Sequence, residues 1–431
     1  MSDQDHPSLA PVTESTRIDV MDILRGFALL GIVFMNIEWF NRSGTDIRTF
    51  DISLTGLDQS VGWLVRAFVE GKFYKLFALL FGMGFAVMLL RAKETGRPFT
   101  AWFIRRMLVL FIIAMVHQIF IWDGDILHDY AFAGLVFLGW VLLFETRWLR
   151  RFNTPSAFLK IGIVMLMLPL AAMTYAGMKI GMQTTHDSMQ EQWQQQLNDE
   201  TRFEREAELN ARAMKEVAIM SGDSYKDVLK YRINGLPTEA RKTVFFTLVL
   251  LIPIFLIGYW FVASGVLKNH REHRRLFNTM MTLGLSFGTM LSVSGLLLLQ
   301  HPASDVSYIL GAMAFWTFNL GQLVLAAGYL GLIVVLMNRP GEHRLLSCFA
   351  PFGRMALTNY IMQSVILVVI FHGYALGYFG QISRASQMLI VVAIVGFQML
   401  FSAWWLKRFR FGPLEWLWRS GTYMSWQPMR H

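Results

Sequence analysis

Apolar runs of about 20 residues, each closed by a short polar stretch, recur along this chain of 431 residues. A helix of that length crosses the hydrocarbon core of a bilayer. About ten such spans are predicted: 23–39, 73–90, 103–122, 126–144, 158–182, 244–267, 276–299, 306–337, 355–377 and 386–406. The eighth is longer than an untilted helix needs, so it is expected to tilt or to break near Gly328 and Gly331. Residues 61–69 read as an interfacial or re-entrant helix. The fold class is therefore an all-α polytopic membrane protein.

The polar segment 183–243 interrupts the pattern. Residues 187–220 lack Gly and Pro and are rich in helix formers, which predicts one long helix. Ser221-Gly222-Asp223 predicts a break, and a shorter helix over 224–232 is expected to end at Asn234-Gly235-Leu236-Pro237. The chain then divides into a five-helix half (1–182), an external insert (183–243) and a second five-helix half with an interfacial tail (244–431). The insert reads either as a solvated cap or as a lid over an external acceptor site.

Charge assigns the sides. Only 16% of residues are charged while 54% are hydrophobic, and the net charge is +9. The excess lies in alternate loops, for example Arg91, Lys93, Arg97, then Arg147, Arg150, Arg151, then Lys268, Arg271, Arg274. The positive-inside rule places these loops and both termini in the cytoplasm and the insert outside. Basic loops account for the charge without nucleic acid as a partner; the bilayer is the expected partner. The first span reads as an uncleaved signal anchor. The one cysteine, Cys348, excludes an internal disulfide and a cysteine-based metal cluster. A homodimer is compatible with the sequence.

Polar residues inside the spans are the candidates for chemistry, because ionisable groups are costly in lipid. Asp22 and Arg25 are three apart and share a helix face. Arg25 and Asn36 share a face about 16 Å apart along the same helix. His117 lies about 7 Å inside the outer end of the third span. It precedes the acidic turn Trp122-Asp123-Gly124-Asp125. An imidazole there is placed to accept a proton from an attacking hydroxyl or amine, with Asp123 or Asp125 orienting the ring. Helix packing for His117 and helix capping for Asp125 are the plainer alternatives. His128 and Asp129 are weaker candidates.

On the ninth span, Asn359 and Gln363 share one face and Tyr360 and Ser364 another. They line either a wet cavity or an interhelical contact. Asn319 and Gln322 could line the same cavity. Arg354 is placed to hold an anionic ligand such as a phosphate. Lys72 and Lys75 are expected to snorkel. Gly82 and Gly84 read as close packing or a kink, and Gly284, Gly288 and Ser292 as a helix-packing ridge. Pro413 with Trp416 and Trp418 reads as a short interfacial helix. No Walker motif, dinucleotide fingerprint, zincin motif or nucleophile elbow is present, which argues against an ATP-driven pump and a soluble-type hydrolase.

Several stretches resemble the YeiB-like family of bacterial membrane proteins, the domain of unknown function 418. They are Arg17-Ile-Asp-Val-Met-Asp22-Ile-Leu-Arg25-Gly26-Phe-Ala-Leu-Leu-Gly31 with Asn36, Lys72-Phe-Tyr-Lys75 through Gly82-Met-Gly84, and Arg105-Arg106 through His117 to Trp122-Asp-Gly-Asp125-Ile-Leu. The others are Gly353-Arg354-Met-Ala-Leu-Thr-Asn359-Tyr360 with Gln363-Ser364, and Arg410-Phe-Gly412-Pro413-Leu-Glu415-Trp416-Leu-Trp418-Arg419. That family looks distantly similar to transmembrane acyltransferases, the acyltransferase-3 proteins and the heparan-glucosaminide acetyltransferase. The resemblance implies acyl transfer from cytoplasmic acyl-CoA, such as acetyl-CoA, to a glycan or lipid-linked acceptor across the membrane. The glucosaminide acetyltransferases carry a working histidine soon after the matching asparagine. This chain has none between Asn36 and His117. Either His117 or Glu38 replaces it, or transfer is lost.

Three functions compete. In an acyltransferase, Arg25 or Arg354 meets a CoA phosphate, His117 with Asp125 acts as base, and Asn36 or Asn359 donates to the oxyanion. Asp22, Tyr360, Gln363 and Trp122 complete the candidate binding set. The alternatives are a transporter of a small polar or amphiphilic solute, with His117 and Asp125 coupled to protons, and a non-catalytic scaffold or sensor.

Overall fold

A computed structural model describes residues 19–44, 54–182, 200–301, 308–339 and 345–431. Residues 187–199 of the expected insert helix and Val306 at the start of the eighth span lie outside them.

The helices are α1 (Asp19–Asn41), α2 (Gly56–Phe68), α3 (Phe73–Glu94), α4 (Thr100–Phe120), α5 (Leu127–Glu145), α6 (Pro155–Met182), α7 (Glu200–Met220) and α8 (Tyr225–Phe246). They continue with α9 (Ile252–Ala263), α10 (Arg274–Gln300), α11 (Tyr308–Met337), α12 (Phe349–Arg354), α13 (Ala356–Phe371), α14 (Arg384–Leu406) and α15 (Pro413–Tyr423). Each predicted span falls on one of these helices except 244–267, which covers the end of α8, a π-turn and α9. Among the described residues, eight helical stretches are long and apolar enough to cross a membrane, and 155–169 and α13 are shorter apolar helices. The chain is an all-α, multi-pass membrane protein.

Helix α4 shows how sequence sets orientation. Leu108, Ile112, Val116 and Phe120 recur every fourth residue and are exposed, as a lipid-facing stripe requires. The opposite side buries Met107, Leu110, Ala114 and His117. The histidine therefore faces the bundle.

Small residues set the closest helix approaches. A Cβ on Gly284 would stand 2.4 Å from Gly328 Cα, and one on Gly288 2.6 Å from Leu325 N. Gly328 and Gly331 are thus contact points for α10, and α11 runs unbroken past them. The expected break does not occur there. Gly82 packs against the Phe255 backbone of α9, whereas a Cβ on Gly84 would meet open space. A Cβ on Gly26 would lie 2.3 Å from Phe349 O, and one on Gly353 2.0 Å from Asp22 O. The backbones of α1 and α12 touch, which brings Arg25 and Arg354 to one chamber.

Other expectations need correction. Helix α8 does not stop at Asn234–Pro237. It continues through Pro237 and a π-turn (Thr247–Leu251) into α9. An interior proline costs about 3 kcal/mol or more. Here Ser224 caps the start, Val228 and Arg232 are buried, and the chain must enter the membrane with its backbone groups paired. The break at Ser221–Asp223 is present. Lys72 and Lys75 are buried instead of snorkelling: Lys72 Nζ donates to Arg66 O at 2.8 Å and Lys75 to the Gln322 side chain. The α2–α3 turn at Gly71, with φ +79°, folds both against α11. Helix α13 ends at Phe371, six residues before the predicted limit at 377, and His372 begins a turn.

Candidate functional site

Two cavities enter the bundle from opposite ends. One, of about 300 Å³, is lined at its polar end by Asp22, Arg25, Arg106, Arg354, Glu415 and Arg419, and deeper by Leu29, Phe77 and Tyr130. The other, of about 1270 Å³, lies beneath α7 and α8 and is lined by Asn36, Trp122, Asp123, Asp125 and Arg232. Loop charge assigns the first to the cytoplasmic side and the second to the outside. Ile32, Ile126 and Tyr360 line both, so one layer of side chains separates them.

Helix α1 serves both chambers, as its spacing predicts: Asp22 and Arg25 face the inner one and Asn36 the outer. Arg25 Nη1 lies 2.7 Å from Asp22 Oδ1. Arg106 sits with its guanidinium 3.7 Å over the Trp418 ring, and Trp418 Nε1 donates to Arg106 O at 2.7 Å. Glu415 closes the chamber floor. Its Oε1 accepts from the N–H groups of Leu357 (2.7 Å) and Thr358 (3.1 Å), and its Oε2 from the Thr358 hydroxyl (2.6 Å). A carboxylate on the orphan N–H groups of a helix start is electrostatically favoured. Burial nevertheless pushes the Glu415 carboxyl up, with the Thr358 hydrogen bonds pulling it down.

His117 lies beside the dividing layer, 1% exposed. Its Nδ1 is 2.9 Å from Asp125 Oδ1. Asp125 Oδ2 accepts the His128 backbone N–H at 3.2 Å and lies 3.4 Å from His128 Nδ1. Asp125 therefore both caps the start of α5 and meets His117. Burial opposes its ionisation, but hydrogen bonds from His117 and His128 outweigh that and hold the carboxyl at about 2. His128 Nε2 lies 3.0 Å from Thr243 Oγ1, which ties α5 to α8. A loop histidine reads as solvated in sequence; this one is buried and bonded.

Among the described residues, His117 Nε2 has no hydrogen-bond partner, and neither does the Tyr360 hydroxyl. Their rings are 5.5 Å apart, and Tyr360 lies against Asp125 and Ile126 without reaching hydrogen-bond geometry. Trp122 is buried, stacks on Phe40 at 4.2 Å and walls the outer chamber.

Other candidates are elsewhere. Glu38 is held in ion pairs by Arg42 (2.9 Å) and Arg384 (2.6 Å) and lines neither chamber. Asn359 donates to Phe352 O and Ser402 Oγ, and Gln363 donates to Gln398 Oε1 at 2.9 Å. Both bind α13 to α12 and α14 and line no chamber, so the interhelical alternative holds. Asn319 bonds its own helix at Phe315 O. Sequence reasoning missed Arg106, Glu415 and Arg232. Arg106 lies within the predicted span 103–122, and a cation inside a span is the signal that could have found it.

The segment 261–425 matches the family model described as a protein of unknown function (DUF418). Full-length relatives include the uncharacterized protein YxaH of Bacillus subtilis, 31% identical over 98% of both chains. An uncharacterized 39.9 kDa protein of Bacillus acidopullulyticus is 28% identical over 96% of both. The uncharacterized protein YeiB of Escherichia coli is 26% identical over 95% of this chain and 97% of its own. No solved structure matches.

Proposed function

The chain belongs to the DUF418 family, and on that premise we propose that it is an integral-membrane acyltransferase. It moves an acyl group from cytoplasmic acyl-CoA to a hydroxyl or amine of a sugar or lipid-linked acceptor, at the outer face of the bacterial cytoplasmic membrane. The observation that carries this reading is the pair of opposed chambers divided by Tyr360 beside the His117–Asp125 pair.

The inner chamber suits the donor. Arg25 and Arg354 stand at its mouth, where CoA phosphates would be met by charge-assisted hydrogen bonds. Its apolar depth suits the pantetheine arm and acyl chain. The outer chamber suits the acceptor, and the chambers' shared layer is where thioester and acceptor would meet.

Asp125 orders the base. A carboxylate on Nδ1–H leaves Nε2 as the proton acceptor and stabilises the imidazolium that follows. In the reaction, Nε2 takes the acceptor hydroxyl proton and the acceptor oxygen bonds to the acyl carbon. The carbon–sulfur bond then breaks, and the CoA sulfur leaves with the proton returned by His117. Asn36 lines the outer chamber and would be the amide that donates to the oxyanion. Tyr360 must turn aside for either substrate to reach Nε2, since the imidazole faces neither chamber in this conformation.

Proteoliposomes given labelled acetyl-CoA on the cytoplasmic side test this. Label should appear on acceptor in the opposite compartment, and His117→Ala should abolish it. Full transfer by that variant overturns the assignment. The same thin partition also favours a transporter gate; solute flux without acyl-CoA would support that reading instead.

A further inference from the structure

Arg232 is a feature of the outer chamber that acyl transfer does not use. It comes from α8, is 2% exposed, and lines the chamber. Its Nη2 donates to His372 Nε2 at 3.1 Å, and the Tyr374 hydroxyl is a second hydrogen-bonding neighbour of the guanidinium. Its Nε and Nη1 are buried with no hydrogen-bond partner among the described residues. A buried guanidinium facing a neutral ring and two unpaired nitrogens is costly, because buried charge needs pairing. Neighbouring chamber cations are different: Lys230 lies 3.7 Å from Asp227 and Lys242 2.5 Å from Glu239, both exposed. Asp123 is near enough to feel Arg232, which favours its ionised form, while burial pushes its carboxyl up.

From this geometry we propose that Arg232 is the docking residue for an oxyanion, a phosphate or carboxylate, on the ligand that enters the outer chamber. The guanidinium supplies planar donors that match such a group, and the ligand would complete the pairing that the protein leaves open. The acceptor is then a charged sugar or lipid headgroup. His372 holds the guanidinium, and its turn is fixed to the insert by the Gly373 N–H to Met220 O bond of 2.9 Å. Ligand docking would thus bear on how the insert closes over the chamber. This inference rests on the outer chamber being the acceptor site. Its test measures binding, so it can fail or succeed apart from acyl transfer.

The test is the melting temperature of the purified full-length protein. Glucose 6-phosphate, glucuronate and uncharged glucose serve as soluble probes. Nanodiscs of phosphatidylglycerol or phosphatidylcholine serve as the lipid arm. At least one of glucose 6-phosphate, glucuronate or phosphatidylglycerol should raise the melting temperature in a saturable way, while glucose, or phosphatidylcholine with its phosphate neutralised by its own choline cation, does not. A response confined to phosphatidylglycerol assigns the oxyanion to a lipid headgroup. In Arg232→Gln the apparent affinity should fall tenfold or more, with Arg232→Lys intermediate. Without ligand, Arg232→Gln should melt at or above the wild-type temperature, since it removes an unpaired buried charge. Equal shifts with charged and uncharged probes, a shift that survives Arg232→Gln, or ligand-free destabilisation of both variants would each overturn the proposal.

Discussion

His117 Nδ1 and Asp125 Oδ1 stand 2.9 Å apart across the turn that joins α4 to α5. If the carboxylate holds the tautomer and stabilises the imidazolium, the two act as a unit. Asp125→Asn should then lower transfer by about 10²–10⁴-fold while the protein elutes and melts as folded. His117→Gln should cost a similar amount, and the double variant little more than either. Turnover with labelled acyl-CoA checks this, and additive losses would count against coupling.

Gly26 and Gly353 mark where α1 and α12 touch. A methyl group on Gly353 would need the space of Asp22 O, which is backbone and has little freedom to move. Gly353→Ala should destabilise by about 1–3 kcal/mol, the usual cost of overpacking. It should also weaken donor binding, because Arg25 and Arg354 would part. Gly84→Ala meets nothing within 4 Å and is the matched control, expected to be neutral or slightly stabilising. Melting temperatures in detergent compare the two.

Periodicity and loop charge made the helices legible, because a bilayer forces apolar length and closed backbone pairing on every span. The same forces do not say which polar face meets a cavity and which meets a neighbour. Asn359 with Gln363, and Tyr360 with Ser364, follow one spacing rule, yet the first pair bonds α12 and α14 while Tyr360 divides the chambers. The rotation of α13 decides this, and distant residues such as Gln398 and Ser402 set it. Pro237 misled for a related reason: local turn chemistry was overridden by the membrane helix that follows. His117 and Asp125 were legible together because only a short turn separates them. Arg232 and His372 were not, being 140 positions apart.

Glu415 reaches from α15 to the first turn of α13 and accepts three hydrogen bonds there. Glu415→Ala would leave the N–H groups of Leu357 and Thr358 unpaired. A lost helix cap costs about 0.5–2 kcal/mol. Since α15 also carries Trp418 under Arg106, the C-terminal tail should loosen. Faster proteolysis within 413–431 in this variant, with Glu415→Gln less affected, is the expected result.

His372 gives the insert a pH dependence whose sign follows from its surroundings. Burial first, and then the adjacent Arg232, lower its value from the ordinary 6.5 to about 3. Between those limits the unfolded chain binds the proton more readily than the folded one. Stability is therefore complete above about pH 6.5 and declines as pH falls toward 3. The bond from Gly373 N–H to Met220 O couples this to the insert, so acidification should release α7 and expose the bend at Ser221–Asp223. Proteolysis at that bend should rise between pH 7.5 and pH 5 in the wild type. His372→Gln removes the titration, so its cleavage should change less over the same interval. Parallel pH profiles in the two proteins would place the sensitivity elsewhere.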